Sequence, residues 1–315
     1  MKKLNFIIKY GLALLLLSFY SCESWLNVTP SDRLSEEMLF NDREGFVKAL
    51  NGVYIELNTN ELYGRNLTAG ALDVMGQYYS VASSSHAFYN YGGLVYTGND
   101  EKALFDNMWQ KCYAVIACCN TIIEKCDENK AGLSPVWKGS IKGEALALRA
   151  MLHFDMLRLF GPLTSELDKE SIPYQTNSDQ TVTPLLSGSE VIGLILDDLK
   201  NAVGLLKDTD PYFVEEEFSD TDLNYRRFRM NYFAAKGLMA RVQLWGGDKE
   251  KAAITAKEVI AEGQAEGAEF FPFVTNSEAT SSNPDRVFYS EVLFGTYHSS
   301  REKLHEDLFA PTLES

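Results

Sequence analysis

The sequence is short of basic residues. Its 29 Lys and Arg stand against 44 Asp and Glu, for a net charge of −15. Such a surface repels phosphate backbones and anionic headgroups, so nucleic acid is a poor partner for it. Cysteine is also scarce, with five in 315 residues. Cys112, Cys118, Cys119 and Cys126 fall in one stretch of helical period. Cys112, Cys119 and Cys126 recur every seven residues, so neighbours would stand ~10 Å apart along a helix axis, beyond disulfide reach. Cys118 and Cys119 are adjacent and would point to different faces. All four read as small apolar core residues, and no histidine stands near enough in sequence to suggest a metal site. The apolar run "GLALLLLSFY", residues 11–20, is too short for a comfortable membrane span. No Gly-x-Ser-x-Gly, phosphate-binding loop or dinucleotide fingerprint occurs.

That short run has a different use. Lys2, Lys3 and Lys9 precede or open it, and Ser21-Cys22 follows it. A basic start, a short apolar middle and a small residue before the cut make residues 1–21 a secretory signal. A small residue directly before Cys is the pattern of bacterial lipoproteins, with Cys22 as the acylated residue, although Phe19 is less usual than Leu at its position. A plain secreted protein with a free Cys22 is the alternative. Acyl chains would anchor the mature chain at ~0.8 kcal/mol per buried methylene. Residues 1–21 carry three lysines and no acid, so their removal takes the net charge to −18.

The whole chain is 45% hydrophobic, enough for a sizeable core, and residues 22–315 suffice for one large domain or two ordinary ones. No linker clearly separates domains. Most long segments have helical period. Phe46, Leu50, Val53 and Leu57 mark one helix. Leu104, Met108, Cys112, Val115, Cys119, Ile122 and Cys126 form a stripe over 101–127. Ser189 is placed to cap a helix carrying Val191, Ile195, Leu199, Ala202 and Leu206. Two further helices, 229–246 and 249–263, are split by Gly246-Gly247-Asp248. Counting from Ala240, Gly247, Ala252 and Ala256 fall at offsets that suit a tetratricopeptide-type hairpin, in which small side chains let helices cross closely. The predicted fold is mainly α, a stack of such hairpins with irregular aromatic-rich loops and a few short strands, one of them "RVFYSEVLF" at 286–294.

The helix at 136–160 is apolar nearly all round, interrupted only by a few polar groups including Glu144, Arg149, His153, Asp155 and Arg158. Stacked hairpins explain this, because an inner helix touches both its own partner and the next hairpin. Asp155 and Arg158 can pair at i, i+3. Arg149 sits among apolar residues and requires a carboxylate or carbonyls from another segment.

Several blocks, in order, resemble the SusD/RagB family of Bacteroidota outer-membrane lipoproteins. The strongest is "EALALRAMLHFDMLRLFGPL" (144–163), similar to that family's Arg-Ala-x-x-x-Phe helix ending in aromatic-Gly-Pro. "CESWLNVTPSDRLSEEMLF", "LYGRNLTAGALDVMGQYY" and "MWQKCYAVIACCNTIIEKC" precede it; "SEVIGLILDDLKNAVGLL", "RMNYFAAKGLMARVQLWGGDKEKAAITAKEVI" and "SEVLF" follow. The resemblance spans nearly all of the chain, while family members generally continue past the position of Ser315 and often draw ligand contacts from that further part. It implies a non-enzymatic, cofactor-free lipoprotein at the cell surface. That protein would bind an oligosaccharide, or sometimes a peptide, and pass it to a SusC-like TonB-dependent transporter.

The residues themselves add a candidate site. The loop "GQYYSVASSSHAFYNYGGLVYTGN", 76–99, is rich in Tyr, Ser, Gly and Asn. Sugars present apolar C–H faces that suit flat rings, while amides and carboxylates bond their hydroxyls. In the family, ligand-contacting rings often come from the segment before the block matched here to "MWQKCYAVI". The candidates are Phe88, Tyr89, Tyr91 and Tyr96 for stacking and Asn90 and Asn99 for hydrogen bonds; the competing reading is that some rings only pack the loop onto the helices. Trp109 and Tyr113 read as core, and Asp73 as either a pocket residue or a helix cap. His305-Glu306 begins a zinc-protease motif that Phe309 interrupts, and Asp220, Asp222 and Asn224 begin a calcium loop that Tyr225 and Asn231 interrupt. Carboxylate pairs for glycoside hydrolysis are numerous, and sequence spacing does not give their distances. A helical glycan-cleaving enzyme and a non-catalytic envelope scaffold are the rival functions.

Overall fold

A computed structural model describes residues 36–309 except 180, 220, 221, 223, 266 and 267, together with the side chains of those residues other than 216, 268 and 269. The signal segment, Cys22 and Asp220 lie outside the described residues. Among the described residues, eleven α-helices carry the fold: α1 Glu36–Leu39, α2 Arg43–Leu57, α3 Ala71–Met75, α4 Tyr89–Gly92, α5 Asn99–Glu128, α6 Pro135–Phe160, α7 Gly188–Thr209, α8 Tyr232–Trp245, α9 Lys249–Gly263, α10 Asn276–Ala279 and α11 Arg301–Leu308. Two small antiparallel pairs, β1 Glu170–Pro173 with β2 Leu185–Ser187 and β3 Gln264–Ala265 with β4 Ala268–Glu269, lie between them. No described helix is long and apolar enough to cross a membrane.

Local chemistry sets the helix ends. Asp42 caps α2 by accepting the Gly45 N–H at 2.8 Å. Asn129, in the left-handed region at φ 45°, ends α5. Ser134 and Pro135 start α6, which stops at Gly161, in extended conformation. Ser187, not Ser189, caps α7: its hydroxyl accepts the Glu190 N–H while Glu190 reaches back to the Ser187 N–H. The capping box needs the acid three residues after the cap, which Ser187 has and Ser189 lacks.

The long helices pack in sequence order, α2 on α5, α5 on α6, α6 on α7, α7 on α8 and α8 on α9. The expected stripes face inward, with Phe46, Leu50, Val53 and Leu57 of α2 and Met108, Cys112, Val115, Cys119, Ile122 and Cys126 of α5 all buried. Full burial of each large apolar side chain favours the fold by about 1.5–3 kcal/mol. Leu104 is only half-buried, and Cys118 is exposed rather than core, because it lies outside the stripe of its heptad neighbours.

The α8–α9 hairpin forms as expected, with Gly247 at φ 91° in the reversal and Ala240 and Ala252 buried. Ala256 faces solvent. Glycines also permit a close helix contact elsewhere, between α6 and α7. A Cβ on Gly139 would come within 2.5 Å of Thr209, and one on Gly143 within 2.7 Å of Leu206. These two glycines let α6 be buried on both flanks.

Residues 286–294 do not form the expected strand. Asp285 accepts the N–H groups of Val287 and Tyr289 at 3.0 and 2.7 Å, Phe288 turns through φ 52°, and Tyr289–Glu291 make one turn of 3-10 helix. Beyond it the segment is tied to the 226–231 loop, where Asn231 donates to the Leu293 carbonyl and Gly295 to that of Arg227. The Asp285 turn and these side-chain and loop partners replace a strand ladder.

The polar residues of α6 explain how its two-sided burial is tolerated. Arg149 donates twice to Asp198 of α7, each at 2.7 Å, and once to Asn120 of α5 at 2.8 Å. The requirement for an outside carboxylate is met. Glu144 accepts from Tyr54 and pairs with Arg226 and Arg229; Asp155 accepts from Tyr63 and pairs with Arg158 at 3.0 Å. His153 Nε2 accepts the Gln175 N–H at 3.0 Å, which assigns the proton to Nδ1, donated to the Arg149 carbonyl at 2.9 Å. Burial lowers its pKa to about 3, so the ring is neutral.

Candidate functional site

The 76–99 loop folds over the start of α5 through a small satellite core. Tyr91, on α4, is 3% exposed and is its hub. Edge-on contacts run from Tyr91 to Phe88 at 6.0 Å and to Phe105 at 6.1 Å, and Tyr96 meets Phe105 at 5.4 Å. Phe105 continues the ring chain to Phe160 at the end of α6, and Phe160 to Trp109. Burial, with the Glu101 carboxylate nearby, raises the Tyr91 phenol pKa. These contacts tie the loop to the helical stack and fix what it presents outward.

On the outer side of this cluster lies a recess of about 340 Å³. Phe88 forms part of its wall, with Arg65, Asp73, Tyr79, His86 and Phe309. The Arg65 guanidinium stands 5.9 Å from the Phe88 ring centroid, and the His86 ring 5.6 Å. His86 Nδ1 accepts the Phe88 N–H at 3.0 Å, which holds the two rings in register. Gly70, at φ 73°, supplies the space: a Cβ there would approach Phe88 at 3.1 Å. Tyr79 and Phe309 face each other at 6.0 Å. The arrangement offers aromatic surface with a guanidinium, a carboxylate and an imidazole at its edge, suited to a ligand with apolar faces and hydroxyls.

The structure distributes the six candidate residues unevenly. Phe88 lines the recess. Tyr89 is 42% exposed and stands outside it. Asn90 is exposed, but its amide donates to Glu101 at 2.8 Å, and this bond lowers the Glu101 pKa. Asn99 begins α5 in solvent. Tyr91 and Tyr96 pack inward beneath Phe88. Asp73 lines the recess. Trp109 and Tyr113 are half-buried against the main core. Arg65 and His86 were not singled out from the sequence. The His86-x-Phe88 spacing inside the aromatic loop was the available signal for one, and Arg65 had none.

A larger recess, about 530 Å³, opens between α6, α8 and the 292–296 segment. Its walls are mostly apolar, with Met151, Met230, Leu238 and Leu293, and its Asp155 is already held by Tyr63 and Arg158. Its other polar groups are Arg241, Thr68, Thr296 and Tyr63, whose hydroxyl already donates to Asp155. Among the described residues no cluster of His, Cys, Asp or Glu is placed to hold a metal ion.

A SusD-like family model, described as starch-binding and associating with the outer membrane, matches residues 24–244. The chain belongs to the SusD/RagB family. SusD-like protein P2 of Formosa agariphila is 26% identical over 265 residues, covering 82% of this chain and 46% of that protein. A SusD superfamily structure from Bacteroides thetaiotaomicron superposes with a TM-score of 0.59 at 22% identity, over 76% of this chain and 49% of that one. A laminarin-binding SusD-like protein superposes with a TM-score of 0.56 at 17% identity, over 76% and 48% of the two chains. At such identities the structural likeness concerns the fold, and this chain spans about half the length of these SusD-like relatives.

Proposed function

We propose that this SusD-like protein captures an oligosaccharide at the cell surface and passes it to a SusC-like TonB-dependent outer-membrane transporter, without altering it chemically. The carrying observation is the recess at Phe88, where a ring wall borders Arg65, Asp73 and His86. Family membership and the laminarin-binding neighbour support a glycan as the cargo. In this reading Phe88 and Tyr79 stack on sugar faces, Tyr89 extends the aromatic surface at the rim, and Tyr91 and Tyr96 hold the loop from below. Asn99 stands available for a hydroxyl, and Asn90 keeps its bond to Glu101. Residues 1–21 are removed on export, acylated Cys22 anchors the remaining 22–315 domain to the outer membrane, and no cofactor takes part.

Titration calorimetry of the chain against a panel of oligosaccharides, laminarin fragments included, tests the cargo. Saturable binding of one glycan supports the reading. Binding of peptides with no response to any glycan overturns it in favour of peptide uptake. Recovery of a large TonB-dependent barrel in a membrane pulldown supports delivery; a pulldown without one points to a scaffold. Release of shortened sugars by the purified protein would contradict the non-enzymatic reading.

A further inference from the structure

A second ring-lined surface lies away from the 76–99 loop, where the 225–229 loop meets the 285–301 segment. Two adjoining recesses, of about 290 and 330 Å³, share Phe228, Thr296 and Tyr297. Tyr225 and Tyr297 are 59% and 63% exposed, and Phe228 lies between them and Tyr289 at ring separations of 5.8–6.3 Å. Large rings this open bury no core surface and offer faces to a flat apolar partner. The two recesses differ in their polar groups. The first has Asn51, Asn58 and Arg229, with Arg229 paired to Glu144. The second has Arg227, His298 and Arg301, with Asp285 as its lining carboxylate.

The charges of the second recess are poorly compensated. Asp285 is occupied by the Val287 and Tyr289 N–H groups. Arg227 donates to the carbonyls of Tyr289 and Phe270 and lies over the Tyr289 ring at 5.0 Å, with no carboxylate partner among the described residues. Arg301 likewise has none there. In a chain of net charge −15, two arginines against one engaged carboxylate make a local positive site. Unmet hydrogen bonds lie at the same recesses. Three buried side-chain polar atoms among the described residues lack a partner, and two of them, Asn58 Oδ1 and His298 Nδ1, belong to residues that line these recesses. Buried polar atoms are normally satisfied, and Asn58 Oδ1, an acceptor, and His298 Nδ1 are not.

We infer that this paired recess binds a short oligosaccharide bearing an anionic group, a carboxylate or a sulfate, with rings stacked on Tyr297 and Phe228 and the anion held by Arg227 and Arg301. The inference rests on the glycan-binding reading and names a second site and a charge class for it. Guanidinium groups suit both anions through bidentate hydrogen bonds, which fixes the acid-bearing end of the ligand in the second recess.

Calorimetry on the full chain tests it with three probes: trigalacturonate, its methyl ester, and a sulfated galactose trisaccharide. At least one acidic probe is expected to bind, with the ester weaker than the acid by about tenfold or more and with affinity falling as salt rises. Arg301→Gln and Tyr297→Ala, both at exposed positions, are each expected to weaken the acidic probe about tenfold, Arg301→Lys less, and Phe88→Ala not at all. The relative response to carboxylate and sulfate tells which anion the site prefers. An ester as tight as its acid overturns the inference, as does an Arg301→Gln variant with unchanged affinity, or loss of binding on Phe88→Ala instead. Neutral glycans bound at the Phe88 recess with no acidic probe bound also overturns it, and leaves the uptake reading standing.

Discussion

Around α6 the buried charges are paired, whereas rings along the loop at 76–99, and rings and arginines along 285–301, face solvent with far fewer partners. Arg226 and Arg301 show the contrast in one residue type. Arg226 is 1% exposed and fixed by Asp210 and Glu144; burial opposes its charge, and the two carboxylates more than offset that, holding its pKa above the usual value. Arg301 is exposed at the edge of a ring-lined recess with no carboxylate within ion-pair distance among the described residues. The first arrangement stabilises one geometry of the stack. The second leaves interactions open for something that arrives later. Within this molecule, completeness of pairing separates scaffold from binding surface.

The largest expected effect comes from breaking the paired side. Arg226→Met removes the ion-pair partner of buried Asp210 and leaves Glu144 with Arg229 alone, and should destabilise the protein by about 3–5 kcal/mol, read as a lower denaturation midpoint in urea. A loss below 1 kcal/mol would show that these charges are not held together in solution. Next in size is an acid response from His153. The folded ring takes a proton only near pH 3, the unfolded one near its ordinary 6.5. Between these values the unfolded state binds the extra proton, so stability falls as pH falls. The contribution between pH 7 and pH 5 is about 2 kcal/mol. His153→Gln should flatten the pH dependence of the urea midpoint over that window, and an unchanged slope would refute the assignment of a neutral buried ring.

Smaller effects refine the contrast. Gly143→Ala drives a methyl group toward Leu206, and should cost about 1–2 kcal/mol because that side chain can partly rotate away. The smallest stability change belongs to the open side. Phe88→Ala should cost little in stability yet weaken a bound glycan by about 1 kcal/mol, roughly fivefold. Tyr91→Ala, beneath it, should do the reverse in calorimetry and unfolding, losing stability first. Equal effects of the two substitutions on both measurements would erase the distinction between them.

The helical stack was legible because its signals are local and repeated. The stripe of α5, the Gly246-Gly247 reversal and the need of Arg149 for an outside carboxylate all depend on periodicity or on the desolvation of one charge. The strand expected at 286–294 failed because Asp285 offered its own turn, a competition that alternating apolar residues do not reveal. The cap at α7 was displaced by two residues because Glu190 selects its serine by distance along the chain. The aromatic loop could be recognised from composition, but the division between Phe88, facing the recess, and Tyr91, packed below it, depends on Phe105 of α5 meeting Tyr91, with Phe160 of α6 behind Phe105. Arg65, Tyr225 and Tyr297 come from segments distant in sequence, and only the folded chain brings them to their recesses.

Hydrogen–deuterium exchange of the full chain, with and without a bound oligosaccharide, tests most directly whether the open side is the binding side. Protection concentrated in 65–91 with a neutral oligosaccharide, and in 225–229 and 295–301 with an acidic one, is the expected result. Protection confined to α8 and 292–296 around the large apolar recess, with residues 65–91 unchanged, would contradict it.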